Sequence, residues 1–368
     1  MFDLECEHLS KRFGGLLAVD DVSFQIPSGS FFSILGPSGC GKTTLMRMIA
    51  GFEEPSAGDI RLKGESVVNT PPNKRNVKMV FQHLALFPMM NVAENIAYGL
   101  RCRGDSKHEI KRRVADVLER VGLPEAANKE IGQLSGGQRQ RIAIARCMVL
   151  DPDVLLLDEP LGALDLKLRE RMKIELKLLQ HQFDTTFLYI THDQSEALVM
   201  SDHVAVMNAG RFEQVGTPQE LYAAPKSAFV AGFVGDSNRW RGRVLAAAGA
   251  ELQVETKGAT FQAVAGNGQA LSPGAMVEVF VRPECITIAR EGSQPADAAD
   301  GSNHYSGTVD SLLFNGANSR VLVRTGSQEL IEVDLPQAGV QADLRPGETV
   351  RLGWSRSHTR CFPGPGSE

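Results

Sequence analysis

The stretch GPSGCGKTT, residues 36–44, has the residue types and spacing of a loop that binds phosphate. It matches the pattern G-x-x-x-x-G-K-[ST] and lies between an apolar run and an apolar-periodic segment. In such a loop glycines let successive backbone N–H groups face a phosphate, and the following helix adds its positive N-terminal end. Lys42 is expected to reach the β- and γ-phosphates of a nucleotide, and the Thr43 hydroxyl to coordinate Mg²⁺. The predicted cradle consists of Gly36, Pro37, Ser38, Gly39, Cys40, Gly41, Lys42, Thr43 and Thr44.

A pair of acids follows the apolar run VLLL, where Asp158 and Glu159 end a predicted buried strand. Asp158 is expected beside the Mg²⁺ ion, and Glu159 is then placed to orient or deprotonate an attacking water. Two acids after a hydrophobic strand are also common on protein surfaces. Their combination with the upstream phosphate loop is what favours a hydrolytic site.

The motif LSGGQ, residues 134–138, predicts a second helix N-terminus that can bind an anion. Each of the two glycine-rich motifs begins its own helix, so one chain cannot readily direct both at the same γ-phosphate. A head-to-tail pair of chains can, with each nucleotide held between one chain's phosphate loop and the other chain's LSGGQ. By itself, the motif is equally explained as a flexible turn in which Ser135 caps a helix.

The elements that must position these motifs alternate along residues 1 to about 235. Four apolar runs predict strands of a parallel sheet. They lie at residues 30–36, 153–159, 186–192 and 203–210. A helix-rich insert is predicted at about 88–150, and within it SKHEIKRRVADVLERVGL has the period of one helix. Ser106 and Glu109 form its predicted capping box, and its apolar face comprises Ile110, Val114, Val117, Leu118 and Val121.

The composition limits the class of protein. The 368 residues exceed what one hydrophobic core usually supports, so two domains are expected. The formal net charge of -5 gives no support for a protein that binds nucleic acid through a basic surface. The six cysteines include no C-x-x-C pair, which argues against a disulfide framework or a zinc cluster. Neither a signal peptide nor a run of roughly 18 apolar residues is evident, so the chain is expected to be soluble by itself.

Residues 236–368 change in character to short β-like segments separated by Gly, Pro and Asn. They contain a weak internal repeat, in which GRVL at 242 resembles GTVD at 307 and PGAMVEVFVRPE at 273 resembles PGETVRLGWSRS at 346. We therefore predict an all-β domain of two small OB-like barrel units, because closed barrels hide the edges of short strands. Residues 290–304 are expected to form an unstructured connection between the two units.

The motifs and their order over residues 1–235 resemble the ATP-hydrolysing subunit of ATP-binding-cassette (ABC) transporters. They are GPSGCGKTT, Gln82 in MVFQHLALFP, LSGGQ, VLLLDEP, LGALD and ITHD. The resemblance implies an α/β P-loop NTPase cassette with a mixed, mostly parallel sheet and a helical insert. Its cofactors would be ATP and Mg²⁺, with Thr43, Gln82 and Asp158 as magnesium ligands.

The same resemblance implies roles for further residues. Phe13 would stack on the adenine, unless it is a core aromatic, and Gln82 would also contact the attacking water while its loop senses a membrane partner. His192 would contact the γ-phosphate and hold the catalytic geometry with Glu159, so Glu159, His192 and Gln82 are the predicted catalytic residues. Asp165 would lie at the seam between two chains, although it could equally cap the helix that follows. The residues that would bind the partner chain's ATP are Ser135, Gly136, Gly137 and Gln138.

One cassette followed by a β domain, with no membrane-spanning run, resembles the ATPases of bacterial importers. The implied partners are a second copy of the chain, two transmembrane permease subunits and, indirectly, a solute-binding protein, at the cytoplasmic face of the inner membrane. The apolar segment 83–100 is the predicted surface that transmits motion to the permeases, and core packing is the alternative for it. No nucleic-acid partner is predicted.

Several phrases, among them VGDSNRWRGRV and GRFEQVGTPQELY, most resemble importers of spermidine and putrescine. Importers of sugar, ferric iron, sulfate and phosphonate share nearly the same phrases. The cargo passes through the permeases without touching this subunit, so no residue of the chain is expected to read it. Two other classes stay open: a nucleotide-dependent regulatory module without transport, and a soluble P-loop NTPase that acts on nucleic acid.

Overall fold

The computed structural model describes residues 1–162, 164–268, 270–290, 302–314, 318–336 and 344–364. The chain divides into two compact units, Met1–Gln219 and Glu220–Glu368. A domain boundary after residue 235, as expected from the sequence, stays a prediction. Within the described part of the chain, no helix is both long and apolar enough to cross a membrane.

The first unit contains ten strands and six helices among its described residues. The strands are β1 (Phe2–Phe13), β2 (Leu16–Pro27), β3 (Phe31–Leu35), β4 (Ala57–Leu62), β5 (Glu65–Ser66), β6 (Val77–Val80), β7 (Val154–Asp158), β8 (Thr186–Thr191), β9 (His203–Asn208) and β10 (Arg211–Gly216). The helices are α1 (Lys42–Ala50), α2 (Val92–Arg103), α3 (Lys107–Arg120), α4 (Gly136–Met148), α5 (Leu166–Phe183) and α6 (Gln194–Met200).

A six-stranded sheet in the order β10-β9-β3-β8-β7-β6 forms the centre of this unit. Neighbours from β9 to β6 are parallel, and β10 is antiparallel to β9, so the predicted mixed, mostly parallel sheet is confirmed. Successive side chains of each strand enter opposite cores: Phe31 and Phe187 face one core, and Phe32 and Leu188 face the other. Burial on both faces is the reason that these strands appear in the sequence as continuous apolar runs.

A second, antiparallel sheet in the order β2-β1-β4-β5 encloses one of these cores together with α1. This sheet was not predicted from the sequence. Its strands show the alternation of a half-buried sheet, since Leu4 and Cys6 of β1 and Phe24 and Ile26 of β2 are buried while their neighbours are more exposed.

The helical insert between β6 and β7 contains α2, α3 and α4, as the sequence predicts. The predicted apolar face of α3 packs into the core, with Ile110 only partly buried. Ser106 caps α3 by accepting the Glu109 N–H at 3.3 Å. The predicted capping box is wrong in its second half, because the Glu109 carboxylate accepts a hydrogen bond from Arg112 at 2.6 Å instead. An arginine three residues later on the same helix face competes for that carboxylate.

The second unit is mostly β structure, and α7 begins at its boundary. Its elements are α7 (Pro218–Ala223), α8 (Ala228–Phe233), β11 (Asn238–Ala248), β12 (Glu251–Thr256), β13 (Thr260–Ala265), β14 (Met276–Val281), β15 (Thr287–Arg290), β16 (Ser302–Phe314), β17 (Asn318–Thr325), β18 (Leu330–Pro336), β19 (Thr349–Ser355) and β20 (Arg360–Pro363). β11, β12, β13, β20 and β14 close into a barrel, as predicted for the first repeat. The described strands of the second repeat form a five-stranded sheet in the order β15-β19-β16-β17-β18.

The two repeats exchange their last strands. β15 follows the first repeat in sequence but pairs with β19 of the second, whereas β20 follows the second repeat but completes the first barrel beside β14 and β13. Both repeats share one hydrophobic core, in which Trp240 of β11 stacks on Trp354 of β19 with ring centroids 6.2 Å apart. The second unit is therefore one interlocked β structure rather than two independent barrels.

The internal repeat begins earlier than the sequence analysis predicts. SNRWRGRV, from residue 237, matches SNHYSGTV, from residue 302, with an offset of 302 − 237 = 65 residues. In each copy the Asn is buried and binds the backbone of the third strand of the other copy. Asn238 bonds the Glu332 N–H and C=O, both at 2.8 Å, and Asn303 bonds the Gln262 N–H and C=O at 2.7 and 2.8 Å.

The unstructured connection predicted at residues 290–304 is wrong at both ends. Arg290 is the last residue of β15, and Ser302 is the first of β16. The intervening residues 291–301 lie outside the described part of the chain. Polar and small residues at the start of β16 resemble a linker by composition, whereas the SN pair that they contain serves the buried contact between the repeats.

Candidate active site

The predicted phosphate loop connects β3 to α1 and is enclosed on two sides. A Cβ on Gly41, which has a φ of 110°, would lie 2.3 Å from the Ala18 carbonyl oxygen. A Cβ on Gly36 would lie 2.2 Å from the Met207 carbonyl oxygen in β9, so only glycine fits at these two positions. α1 begins at Lys42 without a side-chain cap. Its first N–H groups are therefore available to an anion.

Lys42 is buried beneath the loop. This position suits its predicted role, in which its positive charge contacts the β- and γ-phosphates. Its ammonium group donates hydrogen bonds to the carbonyl oxygens of Gly36, at 2.8 Å, and Pro37, at 2.9 Å. Its remaining contact is with Cys40 Sγ at 3.8 Å. A thiol is a weak acceptor, so a phosphate oxygen competes well for the third donor of the ammonium group.

A cavity of about 700 Å³ lies over the phosphate loop. Its lining comprises Phe13, Leu16, Leu17, Ala18, Ser38, Gly39, Gly41, Lys42, Thr43, Thr44, Glu159, Ala209 and Gly210. The fold thus brings together the phosphate loop, Phe13 and Glu159, which are well separated in the sequence. Phe13 is 44% exposed, so the core-aromatic interpretation is wrong. An exposed ring beside an anion site is suited to stack on a base.

The carboxyl ends of β7 and β8 bring the predicted catalytic pair together. Glu159 follows β7 with a left-handed φ of 44°, and its N–H donates to the Ile190 carbonyl of β8 at 3.1 Å. His192 follows β8, and its Nδ1 lies 3.2 Å from Glu159 Oε1. The His192 side chain is 57% exposed, so it is open to a bound nucleotide. Ligands commonly bind at this edge of an α/β sheet.

Asp158 ends β7, and its surroundings favour a nearby cation. Burial and then the adjacent Glu159 carboxylate raise the pKa of Asp158, although Lys42 and Arg47 act in the opposite direction. A divalent cation would relieve the repulsion between the two carboxylates. The Asp158 carboxylate, the Thr43 hydroxyl and the Gln82 amide oxygen are the hard oxygen ligands that Mg²⁺ prefers. The predicted donor set therefore fits Mg²⁺.

Gln82 lies in the loop between β6 and α2, close to the turn that follows Glu159. A Cβ on Gly162 would lie 3.5 Å from the Glu159 carbonyl oxygen and 3.9 Å from Gln82 Nε2. The Gln82 side chain is exposed and is not part of the cavity lining. The fold thus brings Gln82 near Glu159, whereas the contacts of Gln82 with a metal ion and a water stay predictions.

Arg146 of α4 fixes the next part of this loop. Leu84 and Ala85 adopt left-handed backbone conformations, with φ of 59° and 47°. The Arg146 guanidinium donates to the carbonyl oxygens of Leu84, at 2.8 Å, and Ala85, at 2.6 Å. Because left-handed backbone is unfavourable for residues with a Cβ, these two hydrogen bonds stabilise a strained conformation.

Asn95 of α2 fixes the end of the same loop and is completely buried. Its Oδ1 accepts the Phe87 N–H at 2.9 Å. Its Nδ2 donates to the carbonyl oxygens of Phe87, Met90 and Asn91 at 3.0–3.1 Å. Neither Asn95 nor Arg146 was predicted. A polar residue at a buried position of an apolar-periodic helix was the available signal for Asn95.

The segment 83–100 has a buried helical part, as the core-packing interpretation requires, and an exposed loop. Its helical part packs in the core, where Ile96 and Leu100 are fully buried. Its loop presents Met89, which is 94% exposed, and the Phe87 ring lies 4.7 Å from the partly exposed Tyr98 ring. An exposed apolar tip on a rigid base suits a docking surface, and transmission to a permease stays a prediction.

The LSGGQ motif begins α4, where Ser135 and Gln138 form a complete capping box. A Cβ on Gly136 would lie 3.2 Å from Leu164, and one on Gly137 would lie 3.1 Å from Met172 Sδ. These residues do not line the cavity over the phosphate loop, so a single chain keeps the two motifs apart. Their contact with a partner's ATP stays a prediction.

Asp165 precedes α5 and caps it by accepting the Leu168 N–H at 3.0 Å. The capping interpretation is therefore confirmed. A second role at a seam between chains is compatible with this position and stays a prediction.

Part of the cavity lining was not predicted from the sequence. Leu16, Leu17 and Ala18 enter it from the β1–β2 hairpin, and Ala209 and Gly210 enter it from the tight turn between β9 and β10. Ala209 and Gly210 both have positive φ values. The strand predicted at residues 203–210 included the sequence NAG, whereas β9 ends at Asn208. An Asn followed two residues later by Gly was the available signal for this turn.

Comparison with known proteins places these features in a family. A family model described as "ABC transporter" matches residues 19–162, and one described as "TOBE domain" matches residues 279–362. The spermidine/putrescine import ATP-binding protein PotA of Rubrobacter xylanophilus is 45% identical over 97% of this chain and 93% of that protein. The chain belongs to the ABC transporter ATP-binding proteins.

Two further comparisons agree with this assignment to the ABC family. The protein of the same description from Thermobifida fusca is 47% identical over 94% of this chain and 89% of that protein. The solved structure of cbiO1 from Clostridium perfringens, described as part of the ABC transporter complex cbiONQ, is 30% identical with a TM-score of 0.56. It covers 60% of this chain and 90% of that chain, which is consistent with a shared cassette fold.

Proposed function

We propose that this ABC ATPase drives the import of a small polyamine, spermidine or putrescine, through permease partners. The observation that carries the proposal is the 45% identity to a spermidine/putrescine import ATP-binding protein over 97% of the chain. The match covers the C-terminal β unit as well as the cassette. Several other proteins of the same description match at 42–47% identity.

The cavity supports a specific placement of ATP. Phe13 stacks on the adenine at one end, and the N–H groups at the start of α1 and the Lys42 ammonium bind the β- and γ-phosphates at the other. Glu159 then faces the γ-phosphate and accepts a proton from the attacking water. His192, whose Nδ1 lies 3.2 Å from Glu159 Oε1, holds that carboxylate and contacts the γ-phosphate.

Thr43, Asp158 and Gln82 would hold Mg²⁺, for which their oxygen atoms are suited. When bound, the ion neutralises charge that develops on the phosphate oxygens. Gln82 also belongs to the loop that Arg146 and Asn95 fix, so a shift of the loop tip would move this residue.

The separation of LSGGQ from the cavity supports a working unit of two chains arranged head to tail. Residues 135–138 of each chain, with Asp165 near the seam, complete the site of the other chain. Two transmembrane permeases contact the apolar tip around Met89, and a solute-binding protein delivers the cargo to them. The chain then works peripherally at the cytoplasmic face of the inner membrane.

Uptake measured in cells that lack this chain tests the proposal. The cells receive either the parent chain or Glu159→Gln, and labelled spermidine, putrescine, an oligosaccharide, sulfate, ferric iron and a phosphonate are offered in turn. We expect loss of polyamine uptake alone, restored by the parent and not by the variant. Loss of uptake of a different solute would identify that solute as the cargo instead. Normal uptake of all six solutes in every strain would contradict a role in polyamine transport.

A further inference from the structure

A partly buried charged cluster joins the two helices that flank the catalytic pair. α5 starts directly after Asp165, and α6 starts two residues after His192. Arg169, in the first turn of α5, faces Glu196, in the first turn of α6. Glu196 is only 3% exposed. A buried carboxylate persists in a fold only when donors or charges surround it, so its partners indicate what it holds in place.

Glu196 holds the turn that carries His192. Its Oε2 accepts hydrogen bonds from the hydroxyl groups of Tyr189, at 2.7 Å, and Thr191, at 2.6 Å. The Thr191 hydroxyl in turn accepts the Asp193 N–H at 2.9 Å, and Asp193 Oδ1 accepts the Glu196 N–H at 3.1 Å. These bonds close a ring around residues 191–193. Burial and then the Glu196 charge raise the pKa of Tyr189, which keeps this phenol a donor.

Arg169 reaches from this turn to the LGALD segment. Its Nη2 donates to the Leu164 carbonyl oxygen at 3.1 Å, and its Nη1 lies 3.6 Å from Asp193 Oδ2. Its Nε is buried, has no hydrogen-bond acceptor among the described residues, and lies 4.0 Å from Glu196 Oε1. That distance exceeds a charge-assisted hydrogen bond by about 1 Å, so a small shift of α5 towards α6 would form one.

We propose that Arg169 and Glu196 are positioning residues that couple the Leu164–Asp165 segment to His192. A shift of the segment moves Arg169, because Arg169 donates a hydrogen bond to the Leu164 carbonyl. Arg169 in turn shifts Glu196, and Glu196 shifts the turn that aligns His192 with Glu159. The inference rests on the proposed function, in which a second chain approaches the same segment. It adds a physical connection from that approach to the catalytic pair within one chain.

A simpler explanation is that the contact between Arg169 and Glu196 only holds α5 against α6. Another residue of the chain, Lys173, provides a control for this purely structural role. Lys173 lies one turn after Arg169, is 1% exposed, and donates to Ser195 Oγ at 2.8 Å. It therefore joins the same two helices from a buried position. It binds neither the Leu164 carbonyl nor the residues next to His192, so its loss should affect stability alone.

ATPase kinetics and ATP affinity of the full chain test the coupling. Glu196→Gln keeps an oxygen for the Tyr189 and Thr191 hydroxyls but removes the charge that faces Arg169. We expect kcat to fall about tenfold, with KM and ATP affinity changed by less than about twofold, since ground-state contacts with ATP are intact. Arg169→Gln should have the same effect, and the double variant should be no slower than either single variant.

Three outcomes would overturn the coupling. The first is a kcat of Lys173→Met as low as that of Glu196→Gln at an equal loss of melting temperature. The second is a double variant in which the two single effects multiply, and the third is an unchanged kcat of Glu196→Gln. Arg169→Lys keeps the charge but cannot contact Leu164 and Asp193 at the same time, so its kcat should also be low. This variant replaces Glu196→Gln in the test if Glu196→Gln does not fold. A parent chain that lacks ATPase activity even when assembled with its permeases would contradict the proposed function itself, whereas an active parent with an equally active Glu196→Gln would overturn the coupling alone.

Discussion

At the scale of single residues, backbone geometry brings the two proposed catalytic side chains, Glu159 and His192, together. The left-handed conformation of Glu159 and its N–H bond to Ile190 turn the side chain towards His192. For a residue with a Cβ this conformation costs about 1 kcal/mol or more. Strain of this kind concentrates at functional sites, where the fold around it maintains a geometry that local preference would not.

We predict that Glu159→Gln abolishes most hydrolysis but not nucleotide binding. The amide cannot accept a proton, so the rate should fall at least about a hundredfold, while the phosphate loop is unchanged. Steady-state ATPase assays and size-exclusion chromatography with ATP measure this. The variant should accumulate as an ATP-bound dimer in the presence of the permeases, and a variant that hydrolyses ATP at the parent's rate would exclude Glu159 as the base.

We predict that Phe13→Ala weakens ATP binding by roughly tenfold, because stacking on a base contributes about 1–3 kcal/mol. Phe13→Tyr preserves the stacking face and is the matched control, with an affinity close to the parent's. Since Phe13 is already 44% exposed, neither change should lower the melting temperature much. Equal ATP affinity of the alanine variant and the parent would place the base elsewhere.

At the scale of elements, strands and loops that have a local sequence pattern could be predicted from the sequence. Elements that depend on contacts between distant residues could not. Apolar runs gave β3, β7, β8 and β9, and glycine spacing gave the phosphate loop. The β2-β1-β4-β5 sheet was missed because its strands alternate buried and exposed positions without a motif. The contacts of Arg146 with Leu84 and Ala85 join residues about sixty positions apart in sequence, and no local pattern encodes such a pairing.

We predict that Asn95→Ala disorders the loop of residues 82–91 more than it disturbs the cassette. Loss of the amide removes the partner of the Phe87 N–H and of the Met90 carbonyl, at a cost of about 3 kcal/mol, whereas the carbonyls of Phe87 and Asn91 keep their backbone donors. Thermal unfolding measures that loss, and ATP affinity should stay near the parent's because the phosphate loop is separate. Hydrolysis should fall with the displacement of Gln82, so an unchanged rate would show that this loop does not position it.

At the scale of the whole molecule, the C-terminal unit owes its integrity to the pairing of two copies of one motif. Asn238 and Asn303 make equivalent bonds to strands of the opposite repeat, and Trp240 and Trp354 stack between the repeats. A repeat was predicted from its Gly-x-Val and Pro-Gly phrases. The exchange of strands between the two copies could not be predicted, because sequence similarity between the copies does not tell which copy a strand joins.

We predict that Asn303→Ala and Asn238→Ala destabilise the C-terminal unit to a similar extent. Each removes two hydrogen bonds to the backbone of the other repeat and leaves those buried backbone groups unpaired, which costs about 2 kcal/mol. Asn303→Ala also removes the bond that the Asn303 amide donates to the Thr359 hydroxyl at 3.1 Å. Urea unfolding followed by tryptophan fluorescence reports on this unit, because both tryptophans of the chain, Trp240 and Trp354, lie in its core. A large effect at only one of the two positions would contradict their equivalence.

Buried thiols give the molecule a pH limit on the alkaline side. Burial raises the pKa of Cys147 to about 11 and that of Cys361 to about 12, above the roughly 8.5 of an unfolded thiol. A raised pKa stabilises the fold below the unfolded value, and this contribution is lost as pH rises from about 9 towards 12. We expect the free energy of unfolding to fall there by up to about 1.4 kcal/mol per pH unit for each thiol. The free energies of unfolding of the parent and of Cys361→Ala, each measured at pH 8 and pH 10, isolate the contribution of Cys361. An equal decrease in both proteins would contradict this contribution.

The exchange of closing strands also sets a schedule for synthesis. Because β20 completes a barrel whose other strands are translated much earlier, the barrel can close only after residues 360–363 have left the ribosome. Until then the edges of β13 and β14 are unpaired and can pair with other nascent chains. A pause in translation before residue 360 is therefore expected to prolong the time in which these edges are unpaired and so to raise aggregation, without any change of sequence.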